Sequence, residues 1–255
     1  MAQLSAAIIT YNEETNISRC LDSIKNLADE IIIVDSFSTD RTKEICLRYG
    51  SKFIEHSFAG YIEQKNFALQ QTSHEYVLLL DADEALSTKL QRSILKAKEK
   101  NFFFDAYSMN RCTNYCGQFI RHGLWYPDRK IRLINKQKGR WAGVNPHDKI
   151  KLDPGTTQKR LAGDILHYSY NSIQEHTAQN EKFSSISADS LFRQGKKTNL
   201  LKIIFSPFWA FFYGYVFRLG FLDGYYGWVI AGKIFQLASL KHKKLYKMQK
   251  WKNKS

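Results

Sequence analysis

The chain has 255 residues, of which 44% are hydrophobic and 24% are charged. This composition supplies enough apolar side chains for one large α/β domain and excludes a disordered or low-complexity chain. Lysine and arginine outnumber the acids by 38 to 24, but thirteen of these bases and one acid follow Asp189, so +12 of the net charge of +14 lies there. A basic tail on a near-neutral domain indicates a separate contact with phosphates, of either lipid or nucleic acid.

Strand and helix patterns alternate in the first third of the chain. Continuous apolar runs predict buried strands at Leu4–Thr10 and Glu30–Asp35, and two further strands are expected, a short one at Lys52–Glu55 and a fourth at Tyr76–Leu80. Helical spacing of apolar residues predicts helices over Glu13–Asn26 and Tyr61–Gln71, and Ser38-Thr39-Asp40 predicts the cap of a third helix between them. Buried strands that alternate with helices are typical of a mostly parallel sheet with helices on both faces.

The pattern changes in the middle of the chain. Residues 104–152 are rich in Tyr, Trp, Arg and Gly and contain short strand-like pieces such as Lys130–Ile134, which predicts a small antiparallel extension of the sheet. Helix is expected again from Ile173 to about Arg193.

An uncharged segment rich in aromatic residues follows at Ile203–Phe217. A helix that crosses a bilayer needs about 20 apolar residues, so this segment is short for a span. Aromatic residues with flanking lysines favour contact with the membrane interface, and the alternative is an aromatic helix packed on the domain. The first ten residues contain no base and no long apolar run, so we expect no signal peptide.

Polar residues follow three of the predicted strands at the point where each strand ends. These segments are Thr10–Glu13, Asp35–Asp40 and Asp81–Glu84. Ligands of open parallel sheets bind at the carboxyl ends of the strands, so we expect the three segments to form one site. A cluster of carboxylates repels itself unless a cation or a donor-rich ligand is bound there.

Glycine-rich phosphate loops of the Gly-x-Gly-x-x-Gly and Gly-x-x-x-x-Gly-Lys-Ser/Thr types do not occur in the chain. A diphosphate would therefore need another holder, and Asp81-Ala82-Asp83 with Mg²⁺ or Mn²⁺ would serve, because both metals prefer oxygen ligands.

Several segments resemble the motifs of family 2 glycosyltransferases with the GT-A fold. The four leading motifs are Ile8–Glu14, Ile31–Thr42, Gln64–Asn66 and Leu80–Glu84. Later segments are similar to the subgroup of lipopolysaccharide-core β-1,4-glucosyltransferases; they are Tyr126–Leu133, Val144–Asp148, His167–Tyr170 and Gly220–Gly224. The order and spacing of these segments together make the resemblance specific, and it extends to about residue 240.

The resemblance implies a GT-A fold. Together with the residue patterns it predicts an α/β chain with a mostly parallel central sheet, a small antiparallel extension and a C-terminal helical segment, whose aromatic residues and lysines favour association with membranes. The glycosyltransferase domain would occupy residues 1–190, with a nucleotide-sugar half at 1–100 and an acceptor half at 101–190. Residues 191–255 would form the basic, aromatic helical tail.

The resemblance also implies the roles of individual residues. Those expected to bind the nucleotide-sugar are Thr10, Tyr11, Asn12, Glu13, Asp35, Ser36, Lys65, Asp81 and Ala82. Asp35 would accept a hydrogen bond from the uracil N–H, and Asp83 together with Asp81 would bind Mg²⁺ or Mn²⁺. For Lys65, a solvated lysine on a helix is the alternative.

An inverting transferase needs a carboxylate beside the acceptor hydroxyl. Asp148 stands where the family usually has His-Glu and is the expected catalytic base; Glu84 is the rival, and a solvated Asp148 is the third possibility. The residues expected to bind the acceptor are Arg129, Arg132, Trp141 and His147. The tryptophan could instead belong to the core, the arginines to a solvated strand, and the histidine to a structural hydrogen bond.

These residues together predict an inverting, metal-dependent glycosyltransferase. The donor would be a UDP-sugar, with glucose expected, and the acceptor a lipid-linked or lipopolysaccharide-core saccharide. We expect a cytoplasmic protein held peripherally on the inner face of the bacterial cytoplasmic membrane by an anionic lipid surface, and no nucleic-acid partner. The competing hypotheses are a sugar nucleotidyltransferase and a nucleic-acid-binding protein that uses the basic tail.

Overall fold

The computed structural model describes residues 1–145 and 147–252. The chain divides into two compact units. Unit 1 contains Met1–Cys112 and Asp128–Tyr168, and unit 2 contains Thr113–Pro127 and Ser169–Ser255.

Four parallel strands form the first half of unit 1. They are β1 (Leu4–Thr10), β2 (Glu30–Asp35), β3 (Lys52–Glu55) and β4 (Tyr76–Asp81), in the spatial order β3-β2-β1-β4. The helices of this unit are α1 (Ile17–Asp22), α2 (Thr42–Arg48), α3 (Tyr61–Gln70) and α4 (Thr88–Glu99). Because β1, β2 and β4 are mainly buried, their apolar runs are continuous rather than alternating, whereas the edge strand β3 is partly exposed.

The second half of the sheet is antiparallel. Its strands are β5 (Glu84–Leu86), β6 (Ala106–Tyr115), β7 (Gln118–Phe119), β8 (Asp128–Asn135) and β11 (Gln158–Tyr170). Strand β8 pairs antiparallel with both β4 and β6, and the order continues through β11 to β5. Strands β9 (Gly139–Val144) and β10 (His147–Leu152) form a separate antiparallel hairpin.

This architecture confirms the predicted α/β class with a GT-A arrangement, a parallel half and an antiparallel extension. One helix is shorter than predicted, because α1 covers Ile17–Asp22 instead of Glu13–Asn26. The flanking residues form tight turns, such as Ile24 N–H donating to the Leu21 carbonyl at 3.1 Å. Since Ile17, Leu21 and Ile24 are all buried, these turns keep the apolar spacing that predicted the longer helix.

Unit 2 is mainly helical. Its helices are α5 (Ile173–Arg193), α6 (Leu200–Phe212) and α7 (Gly224–Lys252), with a π-helical turn at Tyr213–Phe217 and a 3₁₀ turn at Gly220–Asp223 between the last two. Helix α7 packs against α5 and α6. Within the described residues, Leu200–Phe217 is the one helical stretch long and apolar enough to cross a membrane by length and composition, and only 11% of it is buried.

The core of unit 2 contains Tyr115, Ile120 and Ile230 with a cluster of aromatic rings. His176 belongs to this cluster, and its Nδ1 lies 3.0 Å from the Tyr115 hydroxyl. Burial, with a smaller contribution from the Lys233 charge, lowers the pKa of His176 to about 4. The histidine is therefore neutral at physiological pH.

Candidate active site

The ends of the parallel strands bring the predicted site residues together. In the register of the sheet, Thr10 on β1 is the neighbour of Asp35 on β2, and Ile9 is the neighbour of Asp81 on β4. Three polar segments that lie far apart in the chain thus meet at one edge of the sheet.

A first cavity, of about 470 Å³, opens at this edge beside β1. It is lined by Ile9, Thr10, Tyr11, Glu13, Ser36, Phe58 and Tyr61. The rings of Tyr11, Phe58 and Tyr61 are exposed, so a flat base can stack on them. Phe58 and Tyr61 were not predicted to have a role, and the available signal was an aromatic pair at the start of α3, with Phe58 in the preceding loop and Tyr61 as the first helical residue.

Asp35 lies behind this lining. Its Oδ1 accepts a hydrogen bond from the Thr10 hydroxyl, and its Oδ2 accepts one from the Ser38 backbone N–H, both at 2.7 Å. Asn12 fastens the same loop, since its side-chain oxygen accepts from the Thr39 N–H at 2.8 Å. The described contacts of Asp35 and Asn12 therefore shape the loop after β2.

A second cavity, of about 570 Å³, lies over β4, β8 and the β9–β10 hairpin. Six of its lining residues are bases and two are acids, Asp81 and Asp148. The bases are Lys65, Arg111, Arg129, Lys130, Arg132 and Lys149. Arg111, Lys130 and Lys149 were not predicted as site residues, because nothing local to them indicates that β6, β8 and β10 border one cavity.

Lys65 is the centre of this cavity. It lies on α3, is only 6% exposed, and its Nζ is 2.8 Å from both Asp81 Oδ1 and Asp148 Oδ2. The same ammonium stands 4.4 Å from the ring centre of Trp141. Lys65 is therefore not a solvated helix lysine, which was the alternative that the sequence left open.

Asp81 is held between two cations. Burial alone would raise the pKa of Asp81, but the charges of Lys65 and Arg132 outweigh it and hold this pKa far below its usual range. Its hydrogen bonds come to Oδ2, from Lys65 at 3.2 Å and from Arg132 at 3.3 Å. Oδ1 is close to Lys65 without hydrogen-bonding geometry, so among the described residues this buried oxygen has no donor.

Glu84 and Asp148, the two candidate bases, differ in their surroundings. Glu84 is 1% exposed, its Oε2 accepts from the Asp81 backbone N–H at 3.0 Å, and its Oε1 lies 3.1 Å from Arg132 Nη2. Asp148 lines the cavity on β10, and 13% of its side chain is exposed. A carboxylate must reach the acceptor hydroxyl to take its proton, so this geometry favours Asp148.

Asp83 stands apart from the lysine-centred cluster. Its Oδ2 lies 3.1 Å from His167 Nε2, and its backbone oxygen accepts from the Tyr168 N–H. Burial raises the pKa of Glu13, and the Asp83 charge adds to this effect, so carboxylates crowd this edge as predicted. His167 lies in a segment that the resemblance identified, but its position beside Asp83 was not predicted.

The described residues contain no group of three or more His, Cys, Asp or Glu side chains arranged to hold a metal ion. This donor set still fits Mg²⁺ or Mn²⁺ in a site of this kind, because Mg²⁺ usually takes one or two carboxylates and completes its shell with water and substrate phosphates. The available ligands are Asp83, which lies beside His167, and Asp81 Oδ1, which accepts no hydrogen bond from the described residues but lies 2.8 Å from Lys65 Nζ.

Three of the four residues expected to bind the acceptor lie at the second cavity. Arg129, Arg132 and Trp141 all line the second cavity. Arg132 is buried, and its Nε and Nη1 have no hydrogen-bond partner among the described residues. Trp141 belongs to a core cluster and also lines this cavity, with Lys65 and Arg132 against its ring. Pro146 and the side chain of His147 lie outside the described residues.

The chain is similar in sequence to known glycosyltransferases. Residues 5–151 match the sequence profile of glycosyl transferase family 2. The lipopolysaccharide core biosynthesis glycosyltransferase LpsC of Rhizobium meliloti is 30% identical over 256 residues, covering 93% of this chain and 94% of LpsC. An uncharacterized glycosyltransferase of Rickettsia typhi is 34% identical over 239 residues, covering 90% of this chain and 82% of the relative.

The chain is also similar to solved structures of other proteins. The crystal structure of S. aureus TarS 1–349 in complex with UDP is similar, with 14% identity and a TM-score of 0.47, covering 98% of this chain and 91% of TarS. Glucosyl-3-phosphoglycerate synthase from Mycobacterium tuberculosis, crystallised with Mn²⁺, UDP and glucosyl-3-phosphoglycerate, has 22% identity and a TM-score of 0.36, with 44% of each chain covered.

Proposed function

Since the chain belongs to glycosyl transferase family 2, we propose that it transfers a sugar, expected to be glucose, from a UDP-sugar to a lipid-linked or lipopolysaccharide-core saccharide, with inversion at the anomeric carbon. One observation carries this proposal: the Lys65 ammonium contacts both Asp81 and Asp148. Asp81 stands at the strand end where a donor diphosphate would lie, and Asp148 is a carboxylate that lines the second cavity. The similarity to LpsC supports a saccharide acceptor.

The donor would occupy the first cavity. Its base would stack on the exposed rings of Tyr11 and Tyr61, and Thr10, Glu13 and Ser36 would offer polar contacts. Because Ile9 lines this cavity and is the register neighbour of Asp81, the diphosphate would extend from β1 toward β4.

A divalent cation would be held by Asp83, with His167 and Asp81 as further ligands. Mg²⁺ or Mn²⁺ bound there would supply positive charge to the departing diphosphate. Lys65 and Arg132 would add fixed positive charge from the protein, because both are buried beside Asp81 and cannot swing into solvent.

Asp148 would act as the base. Its carboxylate would take the proton of the acceptor hydroxyl while the hydroxyl oxygen bonds to the anomeric carbon, and the bond from that carbon to the diphosphate oxygen breaks on the opposite side. The UDP leaves with the electron pair. The Lys65 ammonium, 2.8 Å from Asp148 Oδ2, would hold this carboxylate in place before the acceptor arrives.

The acceptor would enter the second cavity, where Arg129 and Arg132 contact its polar groups. A lipid-linked acceptor places the reaction at a membrane, and the basic tail suits the anionic inner face of the bacterial cytoplasmic membrane. The protein would then be cytoplasmic and peripheral.

Two experiments test this function. In a thermal-shift screen with Mn²⁺ or Mg²⁺, a UDP-sugar should raise the melting temperature more than GDP- or dTDP-sugars do. Asp148→Asn should lower kcat by about 10²- to 10⁴-fold and leave UDP-sugar binding unchanged, whereas Asp153→Asn, an exposed change after the same hairpin, should leave kcat near wild type.

Other outcomes would redirect the assignment. If Asp148→Asn retained full kcat while Glu84→Gln alone lost it, Glu84 would be the base. Release of pyrophosphate from a nucleoside triphosphate and a sugar phosphate would favour a sugar nucleotidyltransferase. Tight binding of duplex DNA by the tail, without any stabilisation by UDP-sugars, would favour the nucleic-acid-binding hypothesis.

A further inference from the structure

The exposed side of α6 and of the π-helical turn after it is apolar along its whole length. Six residues define this apolar face, each between 51% and 65% exposed: Leu201, Phe205, Phe208, Trp209, Phe212 and Phe217. Leu201, Phe205, Phe208 and Phe212 are spaced by three or four positions, which brings them to one side of the helix, and Trp209 lies next to them on the same side. Soluble proteins rarely expose a continuous apolar patch of this kind unless it meets a partner.

The opposite side of α6 carries small or polar residues together with the half-buried Ile203 and Phe211, and the Phe211 ring packs against Trp228 of α7. Ser206, Pro207, Ala210 and Gly214 are all more buried than the residues of the apolar face. A helix packed on a soluble domain is usually polar on the side that faces away from the core, whereas the outward side of α6 is apolar. The apolar face is therefore oriented toward an apolar medium outside unit 2.

Positive charge borders the apolar face at both ends. Lys196, Lys197 and Lys202 are exposed at its start, and Arg218 is exposed at its end. Asp223 is the one acid after Asp189, and it is buried, accepting hydrogen bonds from the backbone N–H groups of Arg121 and His122. A second copy of the chain would bring the same positive charge, whereas anionic lipid complements it.

A basic cavity adjoins the start of α6. It has a volume of about 620 Å³, and Lys196, Lys197 and Lys250 are among its lining residues. Three ammonium groups around one cavity suit the phosphate of a lipid headgroup. The cavity lies directly before Leu200 and Leu201, where the apolar face begins.

Helix α6 is fastened to the rest of unit 2 at both ends. Before it, the Gln249 side chain donates to the Lys196 carbonyl at 3.0 Å and accepts from the Thr198 N–H at 3.3 Å. After it, the Gly123 N–H donates to the Arg218 carbonyl at 2.8 Å. Along it, the Phe208 ring packs edge-on against Phe235 of α7. A helix crossing the bilayer would have to give up these contacts.

We infer that the apolar face of α6 lies in the plane of one leaflet of an anionic phospholipid membrane, with lipid phosphates in the lysine-lined cavity. The helix then rests in the interface, where aromatic side chains are favoured, and does not span the bilayer. This membrane contact is independent of the proposed chemistry, since no residue of the two active-site cavities takes part in it.

Vesicle flotation of the full chain, without any substrate, tests the contact. Phe205→Glu/Trp209→Glu should weaken binding to phosphatidylglycerol-containing vesicles by more than about tenfold. Phe103→Glu, an exposed change in unit 1, should not weaken it. Lys196→Gln/Lys197→Gln/Lys250→Gln should reduce the preference for anionic over neutral vesicles. Because the six altered side chains are at the surface or border a cavity, circular dichroism should show each variant folded.

Depth-dependent quenching distinguishes lying in the leaflet from spanning it. A fluorophore is attached to Leu201→Cys or to Val216→Cys in a Cys116→Ser background, since the other three cysteines are buried. A helix in the interface places both labels at the same shallow depth, whereas a spanning helix separates them by about 22 Å along the bilayer normal. A depth difference near that value, unchanged vesicle binding by the Glu variant, or dimerisation through the apolar face would overturn the inference.

Discussion

Lys65 offers the sharpest test of the active-site geometry. Replacing it with Met keeps the length of the aliphatic chain and removes the ammonium that lies 2.8 Å from both Asp81 and Asp148. Two carboxylates would then face each other in a cavity where neither is fully solvated. We expect the free energy of unfolding to fall for this electrostatic reason and not because of a packing defect.

The magnitude follows from what the two carboxylates keep. Breaking a buried ion pair costs about 3–5 kcal/mol, because an uncompensated charge remains. Asp81 keeps its contact with Arg132 at 3.3 Å, and Asp148 is partly exposed and can recruit water. These two circumstances reduce the expected loss to about 2–3 kcal/mol.

Urea unfolding at pH 7.5 measures this loss, with Lys25→Met as the matched control. Lys25 forms an equally short pair with Asp22 at 2.8 Å, but about half of each side chain is exposed, so its removal should cost far less stability than the removal of Lys65. The double variant Lys65→Met/Asp148→Asn should recover about 1 kcal/mol or more relative to additive behaviour.

Two results would refute this reasoning. A loss below about 0.5 kcal/mol for Lys65→Met would mean that water screens the cluster as it screens a surface pair. Strict additivity of Lys65→Met and Asp148→Asn would mean that the two groups do not interact in solution.

Three other changes probe separate parts of the molecule. Asp83→Asn should leave less than about a tenth of the activity, which corresponds to a loss of transition-state stabilisation above ~1.4 kcal/mol. It should also abolish the metal dependence of UDP binding in calorimetry. More residual activity would contradict the role of Asp83 as a metal ligand. The fold lowers the pKa of His176 to about 4, below its value of 6.5 in the unfolded chain. As the pH falls, the unfolded state therefore takes up the proton first. The free energy of unfolding should fall by about 2–3 kcal/mol between pH 6.5 and pH 4. His176→Gln should lose that component in urea titrations, and parallel pH profiles of wild type and variant would count against it. Gly163→Ala should lower the stability by more than about 2 kcal/mol, because the φ of Gly163 is +103° and a Cβ would lie 2.3 Å from the Leu90 backbone nitrogen. The control Gly155→Ala, at φ +78° with open space around it, should lower the stability by about 1 kcal/mol in thermal melts.

Local patterns were sufficient to predict the α/β class and the edge of the sheet where the site lies. The runs Leu4–Thr10, Glu30–Asp35 and Tyr76–Leu80 predict buried parallel strands, and the register confirms that Thr10, Asp35 and Asp81 meet. This prediction succeeds because the carboxyl ends of parallel strands share one edge whatever the lengths of the loops between them. The family membership implied by the motifs is likewise confirmed by the profile match.

Contacts between distant segments depended on the tertiary structure. Lys65 and Asp148 are 83 positions apart, and Arg132 is 48 positions from Glu84, so no periodicity in the chain indicates that these charges meet. The position of His167 beside Asp83 has the same origin. Which residues acquire a partner inside the cavity is decided by how β8, β10 and α3 pack.

The aromatic segment after Ile203 shows the same division. Its composition predicts either contact with a membrane or burial in the protein, because both environments favour large apolar side chains. The tertiary structure decides which side of the helix packs inward, and it places Pro207 and Gly214 there while Phe205 and Trp209 face outward. A sequence specifies which side chains share a face through the helical period, but only the packing of α6 against α7 determines the direction in which that face points.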